Sequence, residues 1–200
     1  MTTRRLILAS ASPARLRTLA AAGIRAEAIV SGVDESTVDS GNAAELCLVL
    51  ARMKARAVAD RVEPPALVLG CDSVLAFDGR ILGKPVDADE ARQRWYAMRG
   101  RSGVLHTGHS IVDTTNGRTA EATASTTVHF ADVTDEEIDA YIATGEPLAV
   151  AGAFTIDGIG GPFIERIEGD AGTVIGLSLP LLRRLLAQLG IPIVTLWQNG

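Results

Sequence analysis

Strand-like and helix-like apolar patterns alternate along this chain from its first residues, and that alternation limits it to folds in which helices pack on a sheet. Arg4 to Ala9 is a short apolar run of the kind that forms a buried strand. Ser12 and Pro13 then supply an N-cap and a proline at the first helical position, which predicts a helix from Pro13 to Ala22 that Gly23 stops. Ala26 to Val30 reads as a second strand leading into an acidic loop at Asp34-Glu35. From Ala43 to Val62 the residues Leu46, Val49, Leu50, Met53 and Ala57 recur at three- and four-residue steps, the stripe of a long helix that Pro64-Pro65 ends. Ala66 to Leu69 is a continuous apolar strand, and the chain emerges from it at Gly70-Cys71-Asp72-Ser73, before a second apolar stretch and the Asp78-Gly79 turn.

Asp87 and Glu90 stand at capping-box spacing and predict a third helix to Arg99, closed by Gly100. Two β-type runs, Val104 to Val112 and Thr119 to Phe130, flank Asn116-Gly117, a strong signal for an antiparallel hairpin. Thr134 and Glu137 form a second capping box, for a helix to Thr144 that Gly145-Glu146-Pro147 stops. The stretch from Gly152 to Gly176 is rich in glycine, with Ala153 to Ile156 and Phe163 to Ile167 read as short strands, and a last helix runs from Leu179 to Leu189. Strand-helix-strand units mixed with a hairpin imply the α/β class with a mixed β-sheet and flanking helices. One domain, or one with two lobes, accounts for the 200 residues, since no repeat or long linker divides them.

Composition narrows the function. The 19 lysines and arginines against 24 acids give a net charge of -5, so no global basic field attracts a nucleic acid. The 2 cysteines, Cys47 and Cys71, form no CxxC pair, which indicates neither a disulfide framework nor a structural zinc site and fits a reducing cytoplasm. The apolar run Leu6 to Ala9 is too short for a signal peptide or a membrane span, and no later run is long enough, so no membrane partner is expected. His106 and His109, three apart on a strand, point to opposite faces and read as structural or surface residues. Cys71 reads as a small apolar core residue, and Gly158-Ile159-Gly160-Gly161 lacks the spacing of a dinucleotide fingerprint.

Several residues could carry chemistry. Ser10, Ser12 and Arg15 surround a helix start, where unpaired amides attract phosphate and a guanidinium can grip its oxygens; equally, Ser12 is a good N-cap and Arg15 a solvated helix residue. Asp72 follows a buried strand, beyond whose carboxyl end catalytic groups gather in open α/β sheets. It could hold a divalent cation with Glu35, take a proton from water, or simply cap a turn. Lys54 lies at the edge of the apolar stripe, from which its ammonium either reaches a site or snorkels to solvent. Lys84, between Gly83 and Pro85, sits on a rigid turn suited to a phosphate-binding charge, or is a solvated surface lysine.

Taken in order, these segments resemble the Maf family of septum-formation-inhibitor-like proteins, regarded as nucleoside triphosphate pyrophosphatases. The resemblance rests on Leu8-Ala9-Ser10-Ala11-Ser12-Pro13 with Arg15, Val33-Asp34-Glu35, Lys54-Ala55-Arg56-Ala57, Gly70-Cys71-Asp72-Ser73 and Gly83-Lys84-Pro85. Gly145-Glu146-Pro147, Ala151-Gly152-Ala153-Phe154 and Val174-Ile175-Gly176-Leu177 continue it. It implies a fold like that of the inosine triphosphate pyrophosphatases, a mixed sheet with two lobes around a cleft. It also implies water attack on the α-phosphorus of a nucleoside triphosphate in the presence of Mg2+ or Mn2+, in a cytoplasmic protein that forms a homodimer. By the same resemblance Asp72 is the catalytic base or mainly a metal ligand, Glu35 and Asp72 hold the metal, and Ser10, Ser12, Arg15, Lys54, Lys84, Ser73 and Asp157 contact substrate. The expected role is house-cleaning of non-canonical or excess nucleotides, and the alternative is a nucleotide-sensing regulator of cell division without turnover.

The chain departs from both known substrate patterns. The subfamily linked to dTTP and UTP has arginine, threonine and glutamine where this chain has Ala14, Ser73 and Asp157. The one linked to 7-methyl-GTP has a large aromatic, glutamine and glutamate there. Asp157 keeps an acidic group able to accept from a base N–H, which leans toward the second pattern.

Overall fold

The computed structural model describes residues 4–38 and 40–197. It is an α/β protein built, among the described residues, on a seven-stranded mixed sheet with flanking helices, as the alternating patterns predict, with strand order β2 (Ala26–Ala28), β1 (Arg5–Leu8), β3 (Ala66–Phe77), β5 (Ser102–Asp113), β6 (Thr119–Phe130), β7 (Ile164–Glu168) and with β4 (Arg80–Leu82) paired to β3. The chain divides into two compact units; three of the four crossings fall within strands and the fourth directly after Ile175. Among the described residues no helix is long and apolar enough to cross a membrane.

The first unit comprises Met1–Asp72, Thr107–Ala124 and Gly176–Gly200. It opens with β1 (Arg5–Leu8), α1 (Pro13–Ala21) and β2 (Ala26–Ala28), continues through α2 (Ala43–Ala59) and contains the first part of β3 (Ala66–Phe77). β1 pairs in parallel with both β2 and β3, Leu6 opposite Ala26 and Leu67. Alternation along the strands sorts side chains onto two faces. Leu6, Leu8, Leu67, Leu69 and Cys71 join the leucines of α6 (Leu179–Gln188) on one face. Ile7, Ala9, Ala66 and Val68 meet Ala55 and Val58 of α2 on the other. Each fully buried leucine of α6 contributes about 1.5–3 kcal/mol, so this helix is a main closure of its face. His109 fixes its start: the Ser178 amide donates to Nε2 at 2.9 Å, which leaves the proton on Nδ1 to donate to the Thr107 carbonyl at 3.0 Å.

Two glycines let α2 lie directly on the sheet. A Cβ at Gly70 would come within 2.1 Å of the Ala51 carbonyl oxygen and 2.7 Å of the Ala55 nitrogen, and one at Gly108 within 2.2 Å of the Cys47 carbonyl oxygen. Gly70 therefore does not end the strand. β3 runs unbroken from Ala66 to Phe77, which places Asp72 within it and not beyond its carboxyl end as the apolar run alone suggested. The helix is shorter than expected, ending at Ala59 with Asp60 as its C-cap, and Asn42 caps its start by accepting from the amides of Ala44 and Glu45.

The second unit comprises Ser73–His106 and Ser125–Ile175. Within it Asp78 and Gly79, both with positive φ, turn β3 into β4 (Arg80–Leu82), the hairpin turn that an Asp-Gly pair favours. α3 (Ala88–Met98) follows, then β5 (Ser102–Asp113) and β6 (Thr119–Phe130), neighbours in the sheet that spread into both units. The connection between them is too short for anything but an antiparallel pair. α4 (Asp135–Ala143) carries the full Thr134–Glu137 capping box, whereas α3 has half of one: Asp87 accepts from the Glu90 amide, but the Glu90 carboxylate reaches back to Val86. β7 (Ile164–Glu168) pairs antiparallel with β6, and α5 (Ala171–Ile175) is a single short turn. The strand expected at Ala153 to Ile156 does not form, because Gly152 and Ala153 both take left-handed backbone that breaks an extended run. The core here is aromatic: Trp95 meets Phe130, Tyr141 and Phe163 edge-on at 5.6–5.8 Å, and its indole donates to the Ala153 carbonyl.

The contact between α2 and Gly70 is testable. Replacing Gly70 by alanine forces a methyl into two backbone atoms and should lower unfolding stability by about 3 kcal/mol or more. Gly41→Ala, which meets nothing within 4 Å, should leave the urea midpoint nearly unchanged. Equal midpoints for the two variants would show that α2 does not depend on the gap at Gly70.

Candidate active site

The first unit gathers six of the residues singled out from sequence. Ser12 caps α1, its Oγ accepting from the Arg15 amide at 3.4 Å, and its own amide donates to Ser10 Oγ at 3.1 Å. Arg15 turns back across this cap. Its Nη1 donates to Ser10 Oγ at 3.1 Å and to the Cys71 carbonyl at 2.8 Å, and its Nε donates to the Gly176 carbonyl at 2.8 Å. The guanidinium thus ties the β1–α1 loop, strand β3 and the approach to α6, and holds the start of α1 to the strand at Cys71, the neighbour of Asp72.

Strand parity puts Asp72 on the same face as Gly70, where α2 lies closest, and Lys54 of α2 answers it. Lys54 Nζ is 2.5 Å from Asp72 Oδ1 and 2.8 Å from Glu35 Oε1. Lys54 is 9% exposed and Asp72 7%, so the snorkelling alternative for Lys54 does not hold. Glu35 arrives on a short turn after Asp34, whose carboxylate accepts from the amide and hydroxyl of Ser36. Arg61, at the far end of α2, donates to the carbonyls of Val30 and Ser31 and steadies the approach to that turn.

Burial pushes the Asp72 carboxyl above its ordinary value, opposed first by the Lys54 ammonium and then by Arg15. The neighbouring Cys71 thiol is pushed up to about 12 by burial, consistent with a core side chain and not a nucleophile. Two carboxylate oxygens converging on one cationic point also fit a hard divalent ion. Among the described residues no group of three or more His, Cys, Asp and Glu side chains could hold a metal ion. Glu35 and Asp72, which share the Lys54 ammonium, are the carboxylates here that could hold a divalent ion.

Ser73, Lys84 and Asp157 belong to the second unit. Ser73 is half-buried and follows Asp72 on β3, where the pleat turns it to the opposite face. Lys84 is exposed on the turn before α3, and the Gly83 carbonyl beside it accepts from the Gly152 amide at 3.0 Å. Asp157 is exposed on the loop that follows Phe154. The histidines go separate ways as read, His106 paired with Ser125 and His109 buried under α6.

Residues 5–189 match the model of the Maf-like protein family. The chain belongs to that family. Among its relatives, a nucleoside triphosphate pyrophosphatase of Salinispora tropica is 68% identical, covering 98% of this chain and 88% of its own. One of the same name from Streptomyces coelicolor is 62% identical over 97% of this chain and 95% of its own. Another from Synechococcus elongatus is 54% identical over the full length of both. A crystal structure from Mycobacterium abscessus, described as a nucleoside-triphosphatase or dITP/XTP pyrophosphatase, covers 93% of this chain and 97% of its own at 14% identity and TM-score 0.43, an overlap too loose to argue from.

The Maf-like chain also holds a polar hub, centred on a residue that its sequence shows as part of a helix stop and of a family motif. The Glu146 carboxylate accepts from Tyr141 Oη at 2.9 Å, Thr155 Oγ1 at 2.6 Å and the amides of Ile159 and Gly160 at 3.0 Å. It thereby pins the loop that carries Asp157. A Cβ at Gly158 would meet Glu146 Oε2 at 2.4 Å and one at Gly160 would meet Tyr141 Oη at 2.4 Å, so the glycines are there to admit the carboxylate. A glutamate in a family motif next to a helix-stopping glycine is the signal available beforehand, and it does not reveal that two of its partners are backbone amides.

Burial raises the Glu146 carboxyl, but the hydrogen bonds outweigh it and hold the group below its ordinary 4.5. A depressed folded value means that the clamp's contribution is complete above about pH 4.5 and is lost as pH falls through the folded value. Glu146→Gln should lower stability by roughly 1.5–3 kcal/mol at neutral pH. In denaturation series from pH 7 to pH 3 the gap between the two proteins should close on the acid side; a gap independent of pH would rule out the ionised clamp.

Proposed function

We propose that this chain hydrolyses nucleoside triphosphates to the monophosphate and pyrophosphate: water adds to the α-phosphorus, and the bond from that phosphorus to the oxygen bridging to the β-phosphate breaks. The reading is supported by relatives named for that activity at up to 68% identity over nearly the whole chain. The observation that carries it is the convergence of Lys54, Asp72 and Glu35 beside Arg15 and the start of α1. Phosphoryl transfer asks a protein chiefly for positioning and for positive charge against developing negative charge, and this cluster offers both.

Glu35 and Asp72 would hold a divalent cation, Mg2+ or Mn2+, which when bound polarises phosphoryl oxygens and screens their charge. The Asp72 carboxylate accepts the proton of the attacking water; the ammonium of Lys54 opposes the effect of burial and favours its ionised form. Lys54, Arg15, the hydroxyls of Ser10 and Ser12 and the α1 amides meet the phosphate oxygens. Lys84 is assigned to the phosphates, and Ser73 and Asp157 to the nucleoside, from the family resemblance. The role we assign is the removal of non-canonical or excess nucleotides in the cytoplasm.

The test is pyrophosphate release across standard and modified nucleoside triphosphates, with the diphosphates alongside, in Mg2+, Mn2+ or EDTA. Release in metal and none in EDTA is expected. Asp72→Asn should cut turnover about 100-fold or more, with far-ultraviolet circular dichroism unchanged because Lys54 keeps Glu35 as partner. Turnover retained in that variant would remove Asp72 from the mechanism, and saturable nucleotide binding without pyrophosphate release would favour a nucleotide sensor.

A further inference from the structure

Arg94 is a charged residue on α3 that is 7% exposed, an unusual burial for a side chain with no apolar end. It is directed at the turn that carries Lys84. Nη1 donates to the Gly83 carbonyl at 2.6 Å and Nη2 to the Lys84 carbonyl at 3.5 Å, while Nε and Nη2 both donate to Glu90 Oε1 at 3.1 and 2.6 Å. The other oxygen of Glu90 accepts from the Val86 amide at 2.7 Å. That amide and Arg94 together hold the Glu90 carboxyl below its ordinary range. One ion pair, buried on its arginine side, therefore grips the backbone at positions 83, 84 and 86, and between them Pro85 is buried. The Gly152 amide completes the mount by donating to Gly83. Only Lys84 and Val86 of this turn stand fully outward, and Lys84 alone is charged. A flexible lysine gains directional value when its Cα is fixed, and a guanidinium fork on two successive carbonyls fixes it.

We propose that Arg94, braced by Glu90, is a positioning residue that aims Lys84 at the substrate. The proposal rests on the reading above that Lys84 meets a nucleotide's phosphates. Arg94 touches no substrate in this account; it acts through the turn.

The experiment is a double-mutant cycle on the full chain, with kcat/KM for pyrophosphate release as the readout and thermal unfolding as the check on folding. Lys84→Ala should lower kcat/KM about 10- to 100-fold, and Arg94→Met about 5- to 30-fold with cooperative unfolding retained. In the Lys84→Ala background, Arg94→Met should cost less than about twofold, since nothing is left to aim. Arg94→Lys, which keeps the charge and loses the fork, should behave nearly as the methionine variant. If Arg94→Met fails to unfold cooperatively, Glu90→Ala serves in its place, expected to show the same loss in smaller measure and the same disappearance without Lys84. A full Arg94 effect that persists in Lys84→Ala would overturn the positioning role while leaving the assignment of Lys84 intact. Wild-type kcat/KM in Lys84→Ala would instead remove Lys84 from the site, and the proposal with it.

Discussion

The backbone of α2 lies against the sheet with no side chain between them at Gly70, and the candidate site depends on that approach. A strand residue of ordinary size would hold the helix off by the thickness of a methyl group or more. Because the gap is absent, an ammonium three residues along the helix from Ala51 reaches a carboxylate two residues along the strand from Gly70. Gly108 repeats the arrangement on β5, so the helix is seated at two points, and the position of Lys54 follows from backbone contact more than from its own rotamers.

Charge explains why such a seat is worth having. Burying an ammonium and a carboxylate together seldom adds net stability, because the water they lose offsets their attraction. The cluster of Lys54, Asp72 and Glu35 is therefore poor design for a scaffold and good design for a site that must meet a polyanion. Arg15 plays a mixed part. Its bonds to the carbonyls of Cys71 and Gly176 make it a structural junction, and the same bonds leave a fixed positive charge next to Asp72.

Much of this was legible beforehand. Ser12 with Pro13, the stripe from Leu46 to Ala57, the Asp78-Gly79 and Asn116-Gly117 turns and the Thr134–Glu137 box are local signals, and local signals translate directly into elements. The failures were tertiary. Gly70 reads as a breaker by propensity, yet here it serves the close approach of a helix, and so β3 was divided where it is continuous. Ala153 reads as the start of a strand because left-handed backbone at alanine has no signature. Glu90 was expected to close a box on Asp87 and instead reached Val86, since Arg94 competes for its carboxylate. Arg94 has no signal in the sequence, and Glu146 stands in a family motif without any sign of its role: each is tied to backbone groups, and a backbone partner leaves no mark in the residue code. The candidate residues Ser10, Arg15, Lys54 and Asp72 could be named from their types and order, but which of them touch one another needed the fold.

The first unit is assembled from three separate stretches of chain, and its last stretch brings α6. Until α6 has been made, one face of β1 and β3 has Leu16 and Leu19 of α1 against it but lacks the four buried leucines of α6. Closure of that face therefore depends on a helix far downstream of the strands it covers, a pairing distant in sequence and so slow to form, and the interval before it forms is the one in which a chaperone would have most to hold.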